Sequence, residues 1–112
     1  MEEHEKKQIR DAFRRVVNMA PKELEEWLET EESQAVGSTR EGEDEAVGHK
    51  SGRRIVAIRR TTQAELSDDD YAHMQKVIGY VNRHAAQRPQ GDVSNTRWRY
   101  SLMNWGHDPL KS

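Results

Sequence analysis

The sequence predicts an all-α protein of about five helices with an acidic central loop, and three observations carry that prediction. Apolar residues recur at spacings of three and four along most of the chain, the period of a helix with one buried face. A single β-branched run, Ile55-Val56-Ala57-Ile58, has no second strand-like run to pair with, so it reads as helix. The block Thr96 to Leu110 places Trp98, Leu102 and Trp105 at i, i+4 and i+7, and Gly106 and Pro109 then stop the helix.

In chain order, residues 3–19 form the first expected helix, with Ile9, Phe13, Val16 and Val17 as its apolar stripe and Glu2, Glu3 and Glu5 at its positive end. Pro21 suits the first position of a short second helix that buries Leu24, Trp27 and Leu28. Small and polar residues follow from Thr30 to Gly48, with Arg40 to Glu45 the most loop-like stretch. A third helix runs through Lys50–Arg60, capped by Ser51. A fourth starts at the Ser67 cap, fills its first turn with Asp68, Asp69 and Asp70, and buries Tyr71, Met74, Val77 or Ile78, Val81 and Ala85 before ending ahead of Pro89. Gly91 and Asp92 make a turn, and Ser94 or Thr96 caps the last helix. The expected division is an amphipathic N-terminal helix, residues 1–20, on a helical unit, residues 21–112.

Composition narrows the function. Of 112 residues, 33% are hydrophobic and 34% charged, so the core is small and every apolar stripe is needed. The absence of cysteine excludes disulfides, thiolate metal sites and cysteine nucleophiles. No apolar run is long enough for a membrane span, and the first residues are too charged for a signal peptide, so a cytoplasmic location is expected. The net charge of −2 hides a split: residues 1–48 hold 7 Lys/Arg against 14 Asp/Glu, and residues 49–112 hold 11 against 6. Such a split serves internal complementarity, self-association, or a basic face kept for an anionic partner.

The basic half carries the candidate site. Gly48-His49-Lys50-Ser51-Gly52-Arg53-Arg54 puts a serine and glycines beside three cations at a helix start, where a phosphate is held well. On a helical wheel Lys50, Arg53, Arg54 and Arg60 share one arc opposite Ile55. Arg97 and Arg99, interleaved with Trp98 and Tyr100, are secondary candidates, and Tyr80 and Arg83 extend the same surface. The bland reading of these cations is a solvated face paired to the acidic half.

No catalytic constellation accompanies them. The five histidines, His4, His49, His73, His84 and His107, include no i, i+4 pair for a metal. Asp70 and His73, one turn apart, suit a capping contact better than acid–base work. The serines lie at caps and turns, where serine is expected anyway. His107-Asp108 before Pro109 reads as a turn that ties down the C-terminus. Neither a metal nor a cofactor is expected.

Several blocks carry a family likeness: Trp27-Leu28-x-Thr30-x-x-Ser33, Gly48 through Val56, Asp70-Tyr71-x-His73-Met74-x-Lys76-Val77, Gly79-Tyr80-Val81-x-Arg83-His84, Gln87-Arg88-Pro89, and Arg97 through Pro109. From about Pro21 to Lys111 the chain resembles the family called domain of unknown function 3140. The resemblance implies no established activity; the label "DNA-binding protein" that members often carry is a hint only. The expectation is therefore a non-enzymatic module that binds nucleic acid, DNA first, through Lys50, Ser51, Arg53, Arg54, Arg60, Arg97 and Arg99. The alternative is a protein-interaction or homodimerisation module, in which the acidic half of one copy meets the basic half of another.

Overall fold

Six α-helices, and no strand, make up the described residues, 1–36 and 47–111, of the computed structural model. They are α1 (Glu3–Val16), α2 (Pro21–Leu28), α3 (Glu31–Ala35), α4 (Val47–Arg59), α5 (Asp68–Ala85) and α6 (Arg97–Asn104), with one 3-10 turn at Gln63–Glu65. None of these helices is long and apolar enough to cross a membrane. The all-α expectation holds. The acidic stretch Arg40 to Glu45, expected as a central loop, lies outside the described residues.

Helix α1 lies along α5 and α2 along α4, while α6 packs against α2, α3, α4 and α5 together. The apolar stripes read from the sequence meet in one core: Ile9, Phe13 and Val17 from the first helix and its end, Leu24 and Leu28 from α2, Tyr71, Met74, Val77 and Val81 from α5, Leu102 and Trp105 from the last block. Hydrophobic burial on this scale is the main favourable term in folding. Between α1 and α5 sits one buried charge, Arg10, which donates to Tyr71 Oη at 2.8 Å and to Glu3 at 3.0 Å. Those two partners keep a buried guanidinium tolerable.

Caps fix the helix starts. Ser67 Oγ accepts from the Asp70 N–H at 3.1 Å and the Asp70 carboxylate accepts from the Ser67 N–H at 3.0 Å, a reciprocal capping box. Thr96, and not Ser94, caps α6, accepting from the Arg99 N–H. Gly106, at φ +80°, ends the last block in a conformation that disfavours any side chain, and its carbonyl accepts from Met19 N–H.

Two expectations need correction. Residues from Thr30 onward are not simply loop: Thr30 caps the five-residue α3, accepting from the Ser33 N–H at 3.1 Å. A helix that short has no periodicity to read. Helix α4 begins at Val47, so Ser51 is not a cap but lies one turn inside, 4% exposed. Contacts with α6 and α2 explain the glycines that suggested a later start. A Cβ on Gly52 would sit 2.5 Å from the Asn104 carbonyl oxygen and 2.7 Å from Leu28 Cδ2. Glycine there admits a neighbouring backbone and does not mark a helix end.

Candidate functional site

One stripe of α5 faces α4 and the end of α6 across a furrow. His73, Lys76, Tyr80 and Arg83 fall at i, i+3, i+7 and i+10, beside the buried stripe of the same helix. Opposite stand Val47, Gly48, Lys50, Ser51 and Arg54 of α4, with Trp105 as the floor between them. The furrow consists of two adjoining hollows that share Val47, Lys76 and Trp105, one of about 460 Å³ and one of about 230 Å³. Lys50, Arg54, Lys76 and Arg83 line the pair, and among the described residues no carboxylate does.

Aromatic packing holds this floor rigid. His73 stacks on Trp105 at 6.3 Å between centroids, Trp105 on Tyr80 at 4.2 Å, Tyr80 on His84 at 5.3 Å, and His84 on Trp98 at 6.3 Å. The Arg88 guanidinium closes the ladder over the Trp98 ring. Tyr80 and Trp105 each have neighbours on both ring faces, so the ladder offers edges and hydrogen-bonding groups to the furrow, not free faces for stacking. The interleaved Trp98 and Tyr100 are likewise occupied: Trp98 donates to the His84 carbonyl at 2.8 Å, and Tyr100 packs against Trp27 at 5.3 Å.

Beneath the furrow, Asn104 is 1% exposed and hydrogen-bonded at both ends. Its Oδ1 accepts from Trp27 Nε1 at 2.8 Å and from Ser33 Oγ, and its Nδ2 donates to the Ser33 carbonyl at 3.0 Å. This hub joins α2, α3 and α6.

Ser51 and His73 share a hydrogen bond of 3.0 Å across the furrow wall. His73 pairs with Ser51 and not with Asp70, which is engaged in the α5 capping box. Burial and the Arg54 and Lys76 charges hold the His73 pKa below its ordinary value of 6.5, outweighing the opposing pull of Ser51 and Asp70. The imidazole is therefore neutral at pH 7.

The sequence-predicted cations do not share one surface. Lys50 and Arg54 face the furrow, whereas Arg53 lines a larger hollow of about 620 Å³ with Glu25, Glu29 and His49. That hollow is mixed in charge and ill suited to a polyanion. Arg54 lies 3.4 Å from Asp70 in an exposed pair of the kind that contributes little. Arg60 is bidentate on Glu25, at 2.8 and 3.3 Å. Arg97 donates to the Ala35 carbonyl at 3.3 Å. Arg99 grips Asp108 through Nε at 3.1 Å and Nη2 at 3.0 Å while Nη1 donates to the Ser94 carbonyl at 2.8 Å. That fork anchors the C-terminal turn, as does the His107 ring N–H, which donates to the Val16 carbonyl at 2.7 Å.

Lys76 is not among the sequence-predicted contacts, although its signal is present in the sequence. It shares the α5 stripe with Tyr80 and Arg83, on a helix whose strongest pattern is the buried face of Tyr71, Met74, Val77 and Val81. Lys76 and Arg83 form no ion pair among the described residues. No match to the chain was found among curated proteins or among solved structures. Residues 12–103 match the family described as "Protein of unknown function (DUF3140)", and the chain belongs to that family.

Proposed function

We propose that this protein is a non-enzymatic module that binds nucleic acid, DNA in the first place, through phosphates laid along the furrow between α4 and α5. One observation carries the reading: Lys50, Arg54, Lys76 and Arg83 line two joined hollows whose walls, among the described residues, contain no carboxylate. A row of phosphates is the ligand class that such a row of cations suits, and release of its counterions supplies the affinity. The weak, exposed contact of Arg54 with Asp70 is readily exchanged for a phosphate. Arg60, Arg97 and Arg99 do not line the furrow and are not among the proposed contacts. An enzymatic role for Ser51 and His73 finds less support. Ser51 is 4% exposed and sits one turn inside α4, hydrogen-bonded to His73, a position that suits a packing contact better than a nucleophile open to substrate.

Fluorescence anisotropy of labelled DNA at two salt concentrations tests this. Binding at low salt should weaken steeply as salt rises. Lys76→Ala with Arg83→Ala should lower affinity about tenfold and the salt slope by about two, and Arg60→Ala should leave both unchanged. No binding at low salt, or binding indifferent to Lys76 and Arg83, would overturn the proposal. A dimer mass in light scattering, together with no DNA binding, would favour the homodimerisation module instead.

A further inference from the structure

The furrow's cations line the two walls of a hollow. Lys50 and Arg54 reach from α4, Lys76 and Arg83 from α5, and the buried Trp105 closes the bottom. A duplex is read by the opposite shape, a protruding helix or ribbon that enters a groove about 12 Å wide. It also asks for cations on the flanks to meet its second row of phosphates. Of the sequence-predicted cations outside the furrow, Arg99 is held by Asp108 and Arg97 donates to the Ala35 carbonyl. A single strand makes neither demand: it is narrow, it bends into a concave cationic channel, and its base edges are open to hydrogen bonds. The larger hollow supplies groups for such edges in Tyr80, Ser101 and Trp105.

Gly48 keeps this hollow open. A Cβ on it would lie 3.1 Å from Trp105 Nε1, between the indole N–H and anything entering from above. Glycine in a helix costs about 1 kcal/mol relative to alanine. Replacing it should thus narrow the hollow without removing charge, the gain in helix propensity being set against the tight contact with Trp105.

We infer that the ligand of the furrow is a single-stranded polynucleotide and not a duplex, an inference that rests on the nucleic-acid reading of the same site. The test uses the full chain, a labelled mixed-sequence oligonucleotide, and that oligonucleotide annealed to its complement, both followed by anisotropy at low salt. The strand should bind about tenfold more tightly than the duplex. Gly48→Ala should lower strand affinity about fivefold while the protein keeps its helical fold, read by circular dichroism. Tyr80→Phe, which removes one hydroxyl from the same hollow and keeps the ring, should lower it about threefold. Duplex bound as tightly as strand, with the same dependence on Lys76 and Arg83, would overturn this inference and leave the proposed function standing. Strand affinity unchanged in both Gly48→Ala and Tyr80→Phe would likewise overturn it. Failure of both probes to bind would remove the proposed function as well.

Discussion

The Tyr80 phenol ring lies against the Trp105 indole at 4.2 Å between centroids, with 15° between their planes. This contact joins the middle of α5 to the residue that ends α6, and it is the tightest step of the five-ring ladder. Removing the ring should therefore loosen the packing between these two elements. Tyr80→Ala is expected to cost about 2–3 kcal/mol in urea unfolding, from lost burial and lost ring contact together. Tyr80→Phe should cost less than about 1 kcal/mol, since only the hydroxyl near Ser101 is lost.

Asn104 is expected to be the most sensitive polar position. Alanine there would strand the Trp27 indole N–H, the Ser33 hydroxyl and the Ser33 carbonyl at one buried point. Unpaired buried groups cost far more than the hydrogen bonds contributed, so about 3–4 kcal/mol should be lost. Asn104→Ala is checked by chemical denaturation beside Ser33→Ala, which should lose about half as much.

His84 should behave in the opposite way. Its Nε2 is buried between Tyr80 and Trp98 and makes no hydrogen bond. A phenyl ring keeps both stacking neighbours and removes the orphaned atom. His84→Phe should thus be neutral or stabilising by up to about 1 kcal/mol, read as a rise in melting temperature. A clear fall would mean that the imidazole has a partner in solution.

Two acid-side effects separate by pH. The His73 pKa is lowered, so the stability linked to its neutral form is present above 6.5 and is lost as pH falls from there through its folded value. For Asp108, burial pushes the pKa up, but the Arg99 fork and the Leu110 N–H pull it down further, leaving it below 3.8. Its stabilising share is present above 3.8 and is lost as pH falls through the folded value. Melting temperature against pH should fall first below 6.5 and again below 3.8. His73→Phe should remove the first step, and Asp108→Asn the second.

Arg60→Ala should change stability by less than about 1 kcal/mol, because its pair with Glu25 is half exposed on both sides and screened by salt. By contrast, Arg99→Ala should cost about 2–3 kcal/mol, since Asp108 would stay buried without its fork. Urea unfolding of the two variants side by side checks that difference.

Much of the fold was legible in the residues themselves. Apolar spacing located α1, α2, α5 and α6, and Pro21, Ser67, Thr96 and Gly106 marked their ends, because caps and periodicity are local properties. Other features depend on what arrives from elsewhere in the chain. Helix α3 exists because Ser33 meets Asn104, 71 residues away, and α4 starts early because its glycines meet α6 and Leu28. The basic row was visible as composition, but a helical wheel shows which side a cation leaves by and not which carboxylate waits there. Only the packed helices decided that Arg60 and Arg99 would be paired, that Arg53 would face Glu25 and Glu29, and that Lys76 and Arg83 would meet Lys50 and Arg54 across one furrow. Charge is fixed by the sequence, whereas its neutralisation is set by distances that only the tertiary structure creates.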